Sequence, residues 1–346
     1  MQDAIASAQT SLRSGLILLP FTLLGCTAQP DLKNAFETPE YHAQPGLGVV
    51  NAASLYARGG TGQGVAVALV DSGLASDLPA FKGRLADPGF DFTSDSPGSV
   101  DHHGHGTQMA GILAANKDNQ GMHGIAFEAQ LIPLRFGDDN EPFFFDGNIA
   151  RAWHYGFDKG ARIFSNSWAN AIPATALTEA RYSQVMPESL AMARDLVGQG
   201  AVFVFPTGNE LKREALAEPG LPLAVPELEK GWIAVVALKA DGTAINDKSN
   251  YCGAAAPWCI AVPGGDSGAG HGLLTTSKNG EYVETAGTSP ATALVAGALA
   301  ALQSRFPEKS PQQIRDLLLS TAKRDGIYAN SEAYGRGLMD LEAASR

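Results

Sequence analysis

Short apolar runs alternate with longer stretches of helical spacing along most of the chain. Five runs have the length and β-branched content of buried strands: Val65–Val70, Gln130–Leu134, Ala161–Phe164, Ala201–Phe205 and Trp232–Ala237. Two stretches between them, 145–160 and 184–200, repeat apolar residues with the period of a helix. This alternation predicts an α/β fold with a mostly parallel central sheet flanked by helices.

The C-terminal part of the chain predicts two further helices. Residues 290–306 are apolar almost all round, which indicates a buried central helix. Ser310, Pro311 and Gln313 occupy the N-cap, first and third positions of another helix start. Parallel sheets bind ligands at the carboxyl ends of their strands, so we expect the chemistry of this protein directly after its strands.

The N-terminus has the features of an export signal. Residues 15–24 are apolar but too few to span a bilayer as a helix, which takes about 20 residues. Leu23-Leu24-Gly25-Cys26 resembles the bacterial lipobox, in which the leader is cut before a cysteine that is then acylated. The alternative is an ordinary signal peptide with an incidental cysteine. We predict an extracytoplasmic lipoprotein, tethered at the outer membrane or cell surface through Cys26.

Polar, proline-containing sequence follows this segment. The resulting domain prediction is a leader at 1–25, a linker at 26–46 and one folded domain at 47–346. The formal net charge of −11 and the pI near 5.1 give the chain no electrostatic reason to bind nucleic acid. We therefore expect no nucleic-acid partner, and membrane association only through the lipid.

Two residues near predicted strand ends suggest acid–base chemistry. Asp71 follows the first strand, and His105 lies between glycines just before an apolar stretch that predicts a buried helix. An imidazole can take a hydroxyl proton at neutral pH and return it. Taken alone, Asp71 is more typical of a turn residue. His102 and His103 make a metal site the alternative for His105, but the cysteine ligands and the helical spacing of a metal motif are missing.

Ser289 and Asn209 complete a possible catalytic set. Ser289 begins the apolar helix, where it could serve as an N-cap or as a nucleophile beside the positive end of the helix dipole. Asn209 follows the fourth predicted strand, as a turn residue or as an amide donor to an oxyanion. The chain order is Asp, His, Asn, Ser, which differs from the orders of chymotrypsin and the α/β-hydrolases.

Four ordered blocks carry a family resemblance over roughly residues 47–342: VALVDSG, GHGTQMAGILAA, FPTGNE and TAGTSPATALVAGALAAL. They resemble the Asp, His, oxyanion-Asn and Ser blocks of the subtilisin-like serine proteases (subtilases, peptidase family S8). Weaker support comes from GIA at 124–126 and SNSW at 165–168. The resemblance implies the subtilisin-like three-layer fold and a serine endopeptidase that processes surface or secreted proteins.

The resemblance also implies roles for individual residues. Asp71 would orient His105, which would act as general base and then general acid for Ser289. The side chain of Asn209 and the Ser289 N–H would form the oxyanion hole. Substrate-binding groups would come from an edge segment and one glycine: Ser167, Trp168, Ala169 and Gly208.

Some features resemble subtilases from autotransporter passengers. These features are the SNSW segment, the ending YGRGLMD and the pair Cys252 and Cys259, for which a disulfide is expected and two free thiols are the alternative. The resemblance makes structural calcium possible, but we find no loop with clear calcium-ligand spacing and predict no metal ligand. We expect a monomer.

Two prolines depart from the family pattern. Pro290 follows the nucleophile and disfavours the helical conformation of Ser289, and Pro206-Thr207 replaces two small residues near the expected specificity pocket. The acidic stretch 138–141 suggests a preference for basic substrate residues. Two other functions stay open: a non-catalytic peptide-binding pseudoprotease, and a peptide ligase or cyclase, which would need a water-excluding lid.

Overall fold

The computed structural model describes residues 32–137 and 145–346. The strands in this part of the chain are β1 (Ala66–Asp71), β2 (Phe90–Asp91), β3 (Ser96–Pro97), β4 (Gln130–Arg135), β5 (Ile163–Ser165), β6 (Val202–Pro206), β7 (Trp232–Leu238), β8 (Cys259–Pro263), β9 (Leu273–Thr276) and β10 (Tyr282–Thr285). The α-helices are α1 (Pro39–His42), α2 (Pro45–Val49), α3 (Ala52–Tyr56), α4 (His105–Ala114), α5 (Asp146–Asp158), α6 (Glu179–Val185), α7 (Pro187–Gly198), α8 (Thr288–Arg305), α9 (Pro311–Ser320), α10 (Ser331–Tyr334) and α11 (Leu341–Ala344).

Eight of the strands form one sheet in the order β3-β2-β4-β1-β5-β6-β7-β8. All neighbours in it are parallel except β2 and β3, and the remaining strands form the antiparallel β9–β10 hairpin. The parallel strands are buried along nearly their whole length, as expected for a sheet covered on both faces. The predicted sheet with flanking helices is confirmed.

Alternate side chains of each strand enter two separate cores. Val67 and Leu69 pack on the side that holds α4 and α8, whereas Ala68 and Val70 pack on the side that holds α5 and α7. This alternation is the period-2 geometry of a strand. The result is a three-layer molecule, with one helix layer on each face of the sheet.

Several predicted boundaries differ from the observed ones. Asp71 is the last residue of β1 rather than the residue after it. The stretch at 184–200 contains two helices, because Pro187 lacks the N–H that would continue the first one and instead begins the second. Strand β8 was not predicted at all.

The folded structure begins within the predicted linker. Helices α1 and α2 occupy residues 39–49, and the side chain of Tyr41 is only 3% exposed in the core that contains α4 and α8. Gln44 donates to the carbonyl of Leu274 at 2.5 Å. The segment before residue 47 therefore packs on the domain through apolar side chains. These few apolar residues stand among polar residues and prolines, so the overall composition predicted a linker. Within residues 32–137 and 145–346, no helix combines the length and apolarity needed to cross a membrane.

Helix α8 crosses α4 at a glycine. A Cβ on Gly297 would overlap Cγ2 of Ile125 and lie 3.0 Å from the carbonyl oxygen of Leu113, near the end of α4. The two helix backbones can approach this closely only because position 297 has no side chain. This crossing fixes the first residues of the two helices relative to each other.

We expect Gly297→Ala to lower the free energy of unfolding by about 1–3 kcal/mol, because the added methyl group overpacks the crossing. Gly198→Ala is the matched control: Gly198 is also helical, and an added Cβ there meets no atom within 4 Å. The control should be neutral or stabilising by up to about 1 kcal/mol. Urea unfolding measures both variants, and equal stabilities would contradict the close crossing.

Candidate active site

Asp71 and His105 form a hydrogen-bonded pair at the carboxyl end of the sheet. Oδ1 of Asp71 lies 2.8 Å from Nδ1 of His105 and also accepts the N–H of Ser72 at 2.8 Å. Asp71 is 4% exposed, whereas the His105 side chain is 31% exposed. One imidazole nitrogen is thus held by a buried carboxylate, which leaves Nε2 for a reaction partner.

Glycines allow the helix of His105 to approach the strand of Asp71. Gly104 is the N-cap of α4 and has a φ of 108°, a backbone conformation that residues with a side chain rarely adopt. A Cβ on Gly106 would overlap the carbonyl oxygen of Gly73 and lie 3.2 Å from Oδ1 of Asp71. His105 is therefore the first residue of its helix, directly above the end of β1.

A second buried carboxylate, Asp101, organises the start of α4. Its Oδ1 accepts the Gly104 N–H at 2.6 Å and the Ser72 hydroxyl at 2.9 Å, and its Oδ2 accepts the Thr107 N–H at 2.8 Å. The Ser72 oxygen in turn accepts the Gly106 N–H at 2.9 Å. These bonds satisfy N–H groups that a helix start leaves without partners.

The charges of these carboxylates act on His105. Desolvation disfavours the imidazolium, but the charge and hydrogen bond of Asp71, with a further contribution from the Asp101 charge, raise the pKa of His105 above its ordinary value. Burial alone would raise the pKa of Asp101, but hydrogen bonds from Thr107, Gly104 and Ser72 lower it. Asp101 therefore keeps its negative charge near the imidazole at neutral pH.

Ser289 is the second residue of α8, and Gly287 is the N-cap. The prediction that Ser289 could cap the helix is therefore wrong, because the N-cap lies two residues earlier. Pro290 falls in the first turn, where its missing N–H would have had no partner in the helix. Ser289 keeps its helical conformation despite the proline, and its own N–H has no intrahelical acceptor.

Ser289 and Ser167 exchange two hydrogen bonds. The Ser289 hydroxyl donates to the carbonyl of Ser167 at 3.1 Å, and the Ser167 hydroxyl donates to the carbonyl of Ser289, also at 3.1 Å. Within the described residues, no hydrogen bond joins Oγ of Ser289 to Nε2 of His105. The described hydrogen bonds therefore join Asp71 to His105 and Ser289 to Ser167, and they do not link the two pairs to each other.

Asn209 is bound to the start of the same helix. Its Oδ1 accepts the N–H of Thr288 at 3.0 Å and the hydroxyl of Thr288 at 3.1 Å. These two donors define which end of the amide is oxygen, so the NH₂ group faces away from Thr288. Asn209 is exposed, and its NH₂ group has no hydrogen-bond partner within the described part of the chain. The amide can therefore donate to a ligand.

The other predicted substrate-binding residues differ in exposure. The indole of Trp168 packs on Phe136 and Phe205 and donates to the carbonyl of Val70 at 3.0 Å, with 9% of the residue exposed. Its side chain therefore belongs to the core, and only its backbone is left for a ligand. Ala169 is half-buried. The predicted acidic stretch 138–141 and Cys26 lie outside the described residues.

Gly208 has a φ of 113°, and a Cβ on it would lie 2.5 Å from Nδ2 of Asn250. Three buried polar residues of the site region are not predicted from the sequence: Asn250, Asp101 and Glu218. Glu218 is fully buried and binds the N–H and side-chain amide of Asn170 at 2.7 and 2.6 Å, next to the segment of Ser167. Burial raises its pKa. Only Asp101, which lies just before a predicted helix start, carried a local signal.

Cys252 and Cys259 are joined in a disulfide. Within residues 32–137 and 145–346, no group of three or more His, Cys, Asp or Glu side chains is placed to hold a metal ion. His102 and His103 thus form no such group with His105.

Comparisons with known proteins agree with this geometry. The model of the subtilase family matches residues 62–337. An extracellular serine protease of Serratia marcescens is 26% identical over 90% of this chain, which covers 34% of that protein. Subtilisin E of Bacillus subtilis is 28% identical over 87% of this chain and 71% of that protein. The chain therefore spans about a third of the Serratia protease.

Solved structures show the same fold. The epidermin leader peptide processing serine protease of Staphylococcus aureus superimposes with a TM-score of 0.73, at 19% identity, over 90% of this chain and 82% of that chain. The MycP3 protease of a type VII secretion system superimposes with a TM-score of 0.66, at 25% identity, over 89% and 90% of the two chains. The predicted subtilisin-like fold is confirmed, and the chain belongs to the subtilase family, peptidase family S8.

Proposed function

We propose that this protein is a serine endopeptidase that hydrolyses peptide bonds through an acyl-enzyme on Ser289. The observation that carries the proposal is the 2.8 Å hydrogen bond between Asp71 and His105 at the start of α4. Helix α4 packs against α8, which has Ser289 in its first turn. Family membership and the serine proteases among the relatives support it further.

The proposed reaction begins when Ser289 rotates from the Ser167 carbonyl toward His105. Nε2 of His105 takes the hydroxyl proton while Oγ attacks the substrate carbonyl carbon. The Asn209 amide and the Ser289 N–H donate to the oxygen that becomes negative. The imidazolium then protonates the leaving amine, which leaves an acyl-enzyme. His105 next takes a proton from water as the water oxygen attacks the ester, and it returns that proton to Oγ of Ser289 as the C–Oγ bond breaks and the new carboxyl end is released.

We also propose that an extended substrate backbone binds along Ser167–Ala169 and near Gly208. Ser167 supports this placement because its carbonyl already holds the Ser289 hydroxyl. An incoming peptide whose N–H groups donate to this segment adds a strand to it. This mode of binding selects extended, unfolded peptide over helices. Because the indole of Trp168 is buried, selectivity among substrate side chains must come from other residues.

The physiological role belongs to this proposal as well. We propose a monomer that processes surface or secreted proteins, with a leader at 1–25 and Cys26 as a lipid anchor. The relatives named as extracellular and leader-peptide-processing proteases support the location and the role. The disulfide agrees with an oxidising compartment. The motifs SNSW and YGRGLMD support a resemblance to autotransporter passengers.

A fluorophosphonate probe tests the nucleophile. We expect the wild-type protein to be labelled, and Ser289→Ala and His105→Ala to be unlabelled, because only an activated serine attacks the phosphorus of the probe and displaces its fluoride. Circular dichroism should show all three proteins folded. A folded wild-type protein without label would support the peptide-binding pseudoprotease instead.

The pH dependence of activity tests the two carboxylates. Because the raised pKa of His105 keeps the imidazole protonated to higher pH, the acidic limb of kcat/KM should have its midpoint above the ordinary histidine value of about 6.5. Asp101→Asn removes one negative charge and should move that midpoint to lower pH. An unchanged midpoint would show that the Asp101 charge does not reach His105.

Membrane fractionation tests the anchor. Wild-type protein should partition into the membrane fraction, and Cys26→Ser should move it to the soluble fraction because the acylated sulfur is lost. Ser289→Ala serves as the control, since it alters the active site and leaves the anchor intact. Cys26→Ser protein that remains in the membrane fraction would rule out the lipid at this residue.

A further inference from the structure

The loop that carries Asn209 is bound to a distant segment of the chain. Three main-chain hydrogen bonds join residues 206–213, here the Asn209 loop, to residues 248–252. The N–H of Asn250 donates to Gly208 at 2.9 Å, that of Leu211 donates to Lys248 at 3.0 Å, and that of Tyr251 donates to Lys212 at 2.8 Å. The Asn209 loop therefore holds its shape through partners about 40 residues away.

The side chain of Asn250 adds four hydrogen bonds to this loop. Its Oδ1 accepts the N–H groups of Glu210 and Lys212 at 3.0 and 2.9 Å. Its Nδ2 donates to the carbonyl of Thr207 at 3.1 Å and to Oε2 of Glu210 at 2.7 Å. These four bonds saturate the two lone pairs and two donors of a side-chain amide. They bind the chain on both sides of Asn209.

Burial makes these bonds effective. Asn250 is completely buried, so water cannot replace any partner that is lost. Thr207 is also completely buried and donates its hydroxyl to the carbonyl of Asn250 at 3.0 Å. The threonine that departs from the family pattern thus extends the same network.

The conformation of the Asn209 loop requires such restraint. Leu211 has a φ of 58° although its side chain is 69% exposed, so no packing of that side chain explains the left-handed backbone. A bulky residue rarely adopts this conformation, and it persists only where the surroundings enforce it. The Leu211 N–H donates to the carbonyl of Lys248, and the N–H groups on either side of it donate to Oδ1 of Asn250. These bonds hold the backbone of Leu211 in its left-handed conformation.

We propose that Asn250 is a positioning residue for catalysis, which acts through Asn209 by fixing the loop on both sides of it. The proposal rests on the proposed function, in which Asn209 donates to the oxyanion. An oxyanion donor must be in place before the reaction begins, because reorganisation during the reaction would remove its benefit. Among the residues that the structure describes, only Thr288 is hydrogen-bonded to the side chain of Asn209, so the position of Asn209 depends on how its backbone is held.

The test compares Asn209→Ala, Asn250→Ala and the double variant with a peptide substrate. Asn209→Ala should lower kcat by about 10²–10³-fold, and Asn250→Ala by about 10-fold or more, with KM within about 3-fold. In the Asn209→Ala background, Asn250→Ala should lower kcat by less than about 3-fold, because its effect passes through the missing amide. Equal effects in both backgrounds would overturn the proposal.

Asn246→Ala is the matched control. Asn246 is 2% exposed and lies in the neighbouring turn, where its side chain bonds Gly265, Lys248 and Ser249 rather than the Asn209 loop. It should lower thermal stability and should lower kcat much less than Asn250→Ala does, because Asn246 reaches the Asn209 loop only indirectly, through Lys248. A loss of kcat equal to that of Asn250→Ala would mean that any disturbance of this turn has the same effect, and would overturn the specific role.

A swapped pair tests the contact even if Asn250→Ala fails to fold. Asn250→Asp places a carboxylate against Glu210 and removes the donor to the Thr207 carbonyl, and it should lower kcat. Adding Glu210→Gln restores the amide–carboxylate pair but not the bond to Thr207, and it should recover part of the loss. Folded proteins without recovery would overturn the proposal. Fully active Asn209→Ala would instead show that the proposed oxyanion role fails, and the Asn250 proposal with it. Impaired Asn209→Ala with normal Asn250→Ala would reject Asn250 alone.

Discussion

The close crossing of α4 and α8 is the constraint on which the site depends. His105 is the first residue of α4 and Ser289 is the second residue of α8. The position of each side chain therefore depends on the position of its helix. Gly297 allows the two backbones to meet, and the parallel sheet beneath them supplies Asp71 at the end of β1. Tertiary packing thus sets the relative positions of the three residues, which no local sequence motif can set alone.

The helix starts also supply the electrostatics. The first turn of α4 has N–H groups that Asp101 and Ser72 satisfy, and the first turn of α8 leaves the Ser289 N–H without an intrahelical acceptor. Under the proposed function, one helix start holds the base next to buried negative charge, while the other keeps a donor available for a developing anion. The same backbone feature serves opposite purposes, because a carboxylate occupies one start and Asn209 binds beside the other.

Much of the fold could be predicted from the sequence, because buried strands are contiguous runs. The motifs of the proposed site are contiguous as well, and Asp71 and His105, which they predict to interact, are in contact. Val65–Val70 and Trp232–Ala237 coincide with observed strands within one residue. Contacts between distant segments could not be predicted. The side chain of Trp168 enters the core because the sheet brings Phe205 and Phe136 to it. Nothing local marks Asn250 as a partner of the Asn209 loop, since its four acceptors and donors lie 38–43 residues earlier.

The separation of Asp71, His105 and Ser289 along the chain has a consequence for biosynthesis. The first two residues leave the ribosome long before the third, and α8 must dock on α4 before the three can act together. Contacts of such high sequence separation form slowly. Under the proposed function, a nascent or half-folded chain therefore carries the acid–base pair without its nucleophile, and the full set exists only once nearly all of the domain has been made and packed.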